Sequence, residues 1–93
     1  MPRPRLCRRM MLDPKITFYK PQGIKLNSLK IIELTHEEWE ALRLKHSKGL
    51  DQIVSANEMG TSQSTLQRIL SSAHKKIGQA IIEGFAIRII KRE

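Results

Sequence analysis

Polar side chains that can read nucleic-acid bases are concentrated in one short stretch of this chain. The stretch contains Ser62, Gln63, Ser64, Thr65, Gln67 and Arg68. Glutamine can make paired hydrogen bonds to adenine and arginine to guanine, whereas serine and threonine can bond a base edge or a phosphate. If these residues open a helix, its free amide groups would also attract phosphate. The sequence therefore predicts that these six residues contact double-stranded DNA.

The residues around this stretch have the spacing of a helix-turn-helix, which places its second helix in the major groove of DNA. The motif requires a small residue where the helices cross, an apolar residue before the turn, a glycine in the turn and two inward-facing core residues. The chain supplies them, in this order, as Ala56, Met59, Gly60, Leu66 and Ile69. Glycine suits the turn because it has no Cβ to clash where the backbone leaves the first helix. We predict a helix-turn-helix over residues 52–70, with the recognition helix starting near Ser62. The alternative is an ordinary helical hairpin with a solvated polar face.

Two positions depart from the usual pattern of this motif. Ser55 and Thr61 occupy places where such motifs usually carry apolar side chains. We therefore expect the packing of the two helices to be looser here.

Basic residues outside the motif supply further candidate contacts. Four arginines are interleaved with prolines near the start of the chain, at Arg3, Arg5, Arg8 and Arg9. They predict a minor-groove or phosphate-tracking arm, and the alternative is a basic tail that adds only unspecific affinity. Four lysines are predicted to contact phosphate or to be solvated charges rather than to read the base sequence: Lys45, Lys48, Lys75 and Lys76.

The chain carries little that points to catalysis. Cys7, His36, His46 and His74 do not have metal-ligand spacing, and no nucleophile elbow, phosphate loop or paired-carboxylate pattern occurs. We therefore predict no enzyme activity, no cofactor and no metal. A single cysteine cannot form an intramolecular disulfide, which favours a cytoplasmic location. Arginines flank Cys7 and would lower the pKa of its thiol, so redox sensing is a hypothesis for this residue.

The charge of the chain is unevenly distributed. Its 93 residues fit one small domain with a formal net charge of +8. Residues 1–30 carry +7, residues 31–60 carry −3 and residues 61–93 carry +4. Basic ends around an acidic middle favour a polyanionic partner. No stretch has the roughly 18 apolar residues that a membrane span needs, so no membrane partner is predicted.

Helix and turn signals predict the elements that would position the motif. Residues 1–28 contain all four prolines and predict a basic arm with short extended pieces, one of them at residues 16–20. Residues 29–84 are predicted to form the helix-turn-helix domain. In it, residues 29–34 form a strand and Thr35 opens a capping box at the start of the first helix. Asp51 or the residue before it starts a second helix that runs to about Met59, and Ser62 starts a long third helix that ends at Gly84. Residues 85–93 predict a strand and a basic tail. The expected fold class is mainly α, with a long third helix and short flanking strands.

The last strand raises the question of oligomeric state. Apolar and other residues alternate over residues 85–90. This alternation, with the long apolar stripe of the third helix, predicts a homodimer in which the C-terminal regions of two chains pair. The alternative is pairing of residues 85–90 with residues 29–34 of the same chain.

Several short motifs give the chain a resemblance to a known family. They are PRPRLCRR at 2–9, KPQG at 20–23, LT at 34–35, EALRL at 40–44, MGTS at 59–62, Thr65, RIL at 68–70, Ala73, KK at 75–76 and GFAIRI at 84–89. The chain resembles the small uncharacterised proteins named uncharacterised protein family two-five-one, or domain of unknown function one-three-four. That resemblance implies DNA binding. Residues 34–77 are also similar to region four of bacterial sigma factors, which implies a helix-turn-helix with a related approach to DNA.

Within that resemblance, the chain departs at two positions that bear on base preference. Gln63 stands where an arginine is usual, and Thr61 where valine is usual. We expect a sequence-preferring DNA-binding transcriptional regulator. The alternatives are an RNA- or ribosome-associated basic protein, and a sigma-like interaction module that docks on polymerase.

Overall fold

The structure is a computed structural model and describes residues 17–90. This part of the chain is mainly helical. The helices are α1 (His36–Leu42), α2 (Gln52–Met59) and α3 (Gln63–Glu83), and the strands are β1 (Phe18–Tyr19), β2 (Ile31–Leu34) and β3 (Ala86–Ile89). A 3-10 turn, Leu26–Ser28, precedes β2, and a π-helical turn, Arg43–Ser47, continues α1. The predicted fold class, mainly helical with a long third helix and short strands, is confirmed.

Helix α1 begins at the predicted capping box. The Thr35 hydroxyl accepts a hydrogen bond from the Glu38 amide at 3.1 Å, and the Glu38 carboxylate accepts one from the Thr35 amide at 2.8 Å. These bonds satisfy amide groups that have no partner within the helix. At its other end α1 widens after Leu42 into the π turn Arg43–Ser47.

Side chains cap α2 and α3 at the predicted residues. Asp51 accepts from the Val54 amide at 2.8 Å, and the Ser62 hydroxyl accepts from the Thr65 amide at 3.2 Å. Helix α3 then continues for 21 residues and ends at Gly84, whose φ is 75°. Glycine favours this left-handed backbone, so the predicted end of α3 is confirmed together with its start.

Strand β3 lies in the middle of the sheet, whose order is β1-β3-β2. Strand β2 pairs with β3 in parallel, with Leu34 opposite Ile89, and β1 pairs with it antiparallel, with Phe18 opposite Arg88. Arg88 also forms an ion pair with Glu33, its neighbour on β2. The alternative prediction, pairing of the last strand within the chain, is confirmed. Because β3 pairs with a strand on each side, it has no free edge for the predicted pairing with a second chain. The homodimer itself stays a prediction.

Two apolar clusters pack against α3. The first contains Ala41, Ala56, Leu66 and Leu70, and the second contains Leu34, Ala73 and Ile89. Leu42 packs against both clusters, so α1 connects the α2 side of the molecule to the sheet side. Within residues 17–90, no helix combines the length and apolar character that crossing a membrane requires.

Candidate nucleic-acid interface

The turn between α2 and α3 is short and closed by backbone hydrogen bonds. Gly60 has a φ of 71°, and its amide donates to the Asn57 carbonyl at 3.1 Å. The Thr61 amide donates to the Ala56 carbonyl at 2.9 Å. These bonds satisfy carbonyls at the end of α2 while the backbone reverses direction. The two helices are therefore joined by the three residues 60–62, with the turn glycine at its predicted place.

Small and apolar side chains fill the contact between α2 and α3. Ala56 is 3% exposed, and Leu66 on α3 is fully buried against the same cluster. Met59 and Ile69 are half-buried and pack around this cluster. The small side chain of Ala56 lets the two helices approach closely. The predicted inward positions of the motif are thus confirmed as core positions.

Ser55 shows the cost of one departure from the usual pattern. Its side chain is buried at 2% exposure, and its hydroxyl has no hydrogen-bond partner within residues 17–90. A buried hydroxyl without a partner costs about 1 to 3 kcal/mol of stability. Thr61, the other departure, is half-buried. Ser55 therefore occupies a buried position of α2 that an apolar side chain would fill without this cost.

The outward face of α3 is polar and basic. Successive side chains of an α-helix are rotated by about 100°, which places Ser64, Arg68, Ser71 and Lys75 on the side of α3 opposite its core residues. All four are exposed, as are Gln63 in the first turn and Gln67 beside them. No acidic residue occurs between residues 60 and 82. The face therefore presents hydrogen-bonding and positively charged groups to any approaching polyanion.

Local hydrogen bonds organise the start of this face. The Ser62 hydroxyl donates to the Thr65 hydroxyl at 3.0 Å, and an Arg68 nitrogen donates to the same Thr65 oxygen at 3.4 Å. The bond from Arg68 directs its guanidinium toward the N-terminal end of α3. Thr65 is half-buried, so it lies behind Arg68 and holds that side chain, whereas Ser64 and Gln63 are more open to solvent.

Gln67 has a hydrogen-bond partner that no local sequence pattern predicts. The side-chain amide of Gln52, at the start of α2, donates a hydrogen bond to the Gln67 side-chain oxygen. This contact crosses from α2 to α3 and leaves the Gln67 amide hydrogens as donors for a ligand. The two residues are 15 positions apart with no local pattern to link them. Gln52 therefore joins the candidate interface as a residue that positions Gln67.

The predicted phosphate-contacting lysines fall into two groups. Lys75 is exposed and lies about 16 Å along the helix axis from Ser64, at 1.5 Å per residue, which suits a phosphate rather than the same bases. Lys45 and Lys48 are exposed as well. Lys76 is different, because it forms an ion pair with Glu38 at 2.8 Å and donates to the Glu33 carbonyl at 2.8 Å. The interpretation of Lys76 as a phosphate contact is therefore corrected: it attaches α3 to α1 and β2.

Glu38 is the centre of a polar network behind the interface. Its carboxylate accepts from Lys76 at 2.8 Å, from the Ser72 hydroxyl at 2.5 Å and from the Thr35 amide at 2.8 Å. Burial alone would raise the pKa of Glu38, but these hydrogen bonds outweigh burial and hold the pKa below its ordinary value. The carboxylate therefore stays charged and keeps its contacts to α3 at neutral pH.

A groove of about 370 Å³ between α1 and α3 limits where a polyanion can bind. Glu37 and Glu38 line it on the α1 side, and Thr65, Arg68 and Ser72 line it on the α3 side. The two carboxylates disfavour phosphate inside this groove. A polyanion would therefore meet α3 more favourably on the side that carries Ser64, Ser71 and Lys75.

Other predicted site residues lie elsewhere in the chain. The arm residues Arg3, Arg5, Arg8 and Arg9 are outside the described residues, as is Cys7. Within residues 17–90, no group of three or more histidine, cysteine, aspartate and glutamate side chains is arranged to hold a metal ion.

Comparisons with known proteins place the chain among uncharacterised relatives. Residues 1–92 match the family described as "Protein of unknown function DUF134". A UPF0251 protein of Dehalococcoides mccartyi is 48% identical over 89 residues, which cover 96% of this chain and 76% of the relative. UPF0251 proteins of Moorella thermoacetica and a Thermoanaerobacter species are 45% and 43% identical; the matched region again covers 96% of this chain, and 60% and 79% of those relatives. No solved structure matches the chain significantly.

Proposed function

This chain belongs to the DUF134 family of proteins of unknown function, and we propose that it is a sequence-preferring DNA-binding transcriptional regulator. In this proposal α2 and α3 act as a helix-turn-helix, and α3 enters the major groove as the recognition helix. The helix pair approaches DNA in the manner of region four of sigma factors.

The observation that carries the proposal is the outward face of α3. It exposes Gln63, Ser64, Gln67 and Arg68 within the first two turns, and Lys75 farther along. Arg68 and the glutamines have the donors and acceptors that discriminate base pairs in the major groove. Serine and lysine suit phosphate contacts, which position a protein on the duplex without reading sequence. The arginines of residues 3–9 add an unspecific electrostatic contribution.

Selection from a random duplex library tests the proposal directly. The full chain should enrich a defined DNA motif, and its affinity should fall as the salt concentration rises, because bound lysines and arginines release counterions from DNA. The selection should be run at two salt concentrations, with structured RNA as a competitor. Failure to enrich any motif, or tighter binding to the RNA, would contradict the proposal.

Single substitutions separate base reading from phosphate contact. Arg68→Ala or Gln63→Ala should weaken binding to the selected motif by about 1 to 3 kcal/mol for each lost paired contact and should relax base preference. Lys75→Gln should instead weaken binding to all sequences and reduce the salt slope by about one. Deleting residues 1–9 should do the same to a larger extent.

Gln79→Ala is the matched control for these variants. Gln79 is exposed on α3, but it lies about four turns beyond the first turn of the helix. Its replacement should leave affinity and base preference unchanged. If Arg68→Ala and Gln63→Ala behaved like this control, α3 would not be the recognition helix.

A further inference from the structure

We propose that His46 and His74 form a binding site for a zinc-type divalent transition metal. The two residues are 28 positions apart, and their Nε2 atoms lie 2.9 Å from each other. His46 belongs to the π turn that follows α1, and His74 belongs to α3. Neutral imidazole nitrogen is among the commonest ligands of zinc in proteins. The fold thus brings two such ligands together, although they are too far apart in the sequence to form a recognisable metal-binding motif.

The geometry of the pair suits a tetrahedral ion. If zinc binds both rings through Nε2 at about 2.0 to 2.1 Å, the ring centres must lie about 5 Å apart. They are 5.1 Å apart here. The two nitrogens need to separate by only a few tenths of an ångström from their present hydrogen-bond distance. Both side chains are exposed, so small rotations of the rings can supply this change without moving the helices.

The charges around the pair also allow a cation. His46 lines a shallow groove with Trp39, Leu42, Arg43 and Ser47. Arg43 contributes a positively charged guanidinium to this groove, and this group forms an ion pair with the Glu40 carboxylate at 2.6 Å. The carboxylate therefore neutralises much of the positive charge that would repel a metal. Lys45 directly precedes His46 and Lys75 directly follows His74; both lysines are exposed and can extend into solvent.

Two protein ligands leave two positions of a tetrahedral ion for water or an external ligand. The bound metal would connect the π turn to α3, and it would therefore stabilise the folded chain over the unfolded one. This inference does not depend on DNA binding. It concerns an edge of α3 different from the face that carries Ser64, Arg68 and Lys75.

Zinc titration of the full chain tests the site. Cys7→Ser should be the background for every measurement, because a thiolate is itself a strong zinc ligand. Zinc chloride at about 100 times its dissociation constant should raise the ratio of folded to unfolded chain about a hundredfold, which appears as a higher melting temperature. Magnesium chloride should have no such effect, because magnesium prefers oxygen ligands.

Histidine variants assign the effect to the pair. His46→Gln and His74→Gln should each lower zinc affinity about tenfold or more, while Gln79→Ala keeps the affinity of the background chain. In nitrogen-detected NMR, zinc should shift the Nε2 resonances of both histidines. Equal zinc binding by all variants, or zinc shifts confined to other nitrogens, would overturn the proposal. Because the spectra also report whether each variant is folded, a folded variant that binds zinc normally counts against the site.

Discussion

Helix α3 is held in place by two contacts of different character. Toward α2 the contact is apolar and small, built from Ala56, Leu66 and Leu70. Toward α1 and β2 apolar packing is joined by polar bonds, because Lys76 and Ser72 of α3 contact Glu38. The first contact excludes water along the motif, whereas the second contains a charged pair near the middle of the helix.

The difference between the two contacts explains how the rotation of α3 about its axis, and hence its outward face, is determined. Apolar packing turns the stripe of core residues inward, so it sets the approximate rotation of α3 about its own axis. Hydrogen bonds to a carboxylate have narrow distances and angles, so they resist such rotation. A turn of about 100° would replace one outward residue by its neighbour. We infer that the apolar stripe sets the outward face of α3 and that the polar contact holds this orientation within narrower limits.

The largest effect is expected from breaking the apolar contact. Leu66→Ala removes a fully buried side chain and leaves a cavity between α2 and α3. The free energy of unfolding should fall by about 2 to 5 kcal/mol, measured by urea denaturation. Ile82→Ala is the control, because Ile82 on the same helix is 81% exposed. A loss at Leu66 no larger than the loss at Ile82 would show that this contact contributes little.

A smaller effect is expected from breaking the polar contact. Glu38→Gln keeps the shape of the side chain but removes the charge that Lys76 and Ser72 contact. The free energy of unfolding at pH 7 should fall by about 1 to 3 kcal/mol. Glu37→Gln is the matched control, since Glu37 is the exposed neighbour in the same helical turn. Equal effects of the two substitutions would contradict the structural role of Glu38.

The same pair of variants gives a pH dependence with a defined sign. The pKa of Glu38 is lowered by folding, so the contacts of its carboxylate contribute fully above its ordinary pKa of 4.5. That contribution is lost as the pH falls below this value and through the lowered pKa. Stability measured across this range should fall more steeply for the unmodified chain than for Glu38→Gln. Parallel curves would show that Glu38 is not held in its charged form by folding.

Ser55→Ala should stabilise the packing of α2, the helix on the apolar side of α3. The substitution removes a buried hydroxyl that has no partner within residues 17–90 and leaves a side chain of nearly the same size. The free energy of unfolding should rise by about 1 kcal/mol, which thermal denaturation can detect. A loss of stability instead would mean that the hydroxyl is hydrogen-bonded in solution.

The smallest effect is expected from a residue outside both contacts. Gly78 lies within α3, and a Cβ added there would have no atom within 4 Å. Gly78→Ala should raise the free energy of unfolding by about 0.5 to 1 kcal/mol, because alanine loses less backbone entropy in a helix. Denaturation monitored by circular dichroism would measure it. A decrease would indicate that α3 is interrupted at this position.

Local signals in the sequence were sufficient to predict most helix ends. Thr35, Asp51, Ser62 and Gly84 act through bonds or backbone angles within a few residues, so their positions can be read from short segments. The inward positions of the motif, Leu66 among them, follow from helical periodicity. These features do not depend on the rest of the fold.

Features that depend on contacts between distant residues could not be predicted in this way. The role of Lys76 depends on its contact with Glu38, which is 38 positions away. In the sequence nothing distinguishes Lys76 from the adjacent Lys75, which has a different role. The Gln52–Gln67 and His46–His74 contacts likewise require the folded arrangement of helices. No local sequence pattern predicts the π turn after Leu42. For the last strand, the sequence allowed pairing either within the chain or between two chains.

The antiparallel pairing of β1 with β3 has a consequence for engineering. The Ile89 amide donates to the Thr17 carbonyl at 2.8 Å, so the two ends of the described body are neighbours. Chains whose ends lie close together tolerate circular permutation. A short linker from Ile90 to Thr17, with new ends opened at the exposed Gly49, would keep all three helices and the sheet intact while removing residues 1–16 and 91–93. Such a permuted chain would allow the helix pair to be studied apart from the arginine-rich arm.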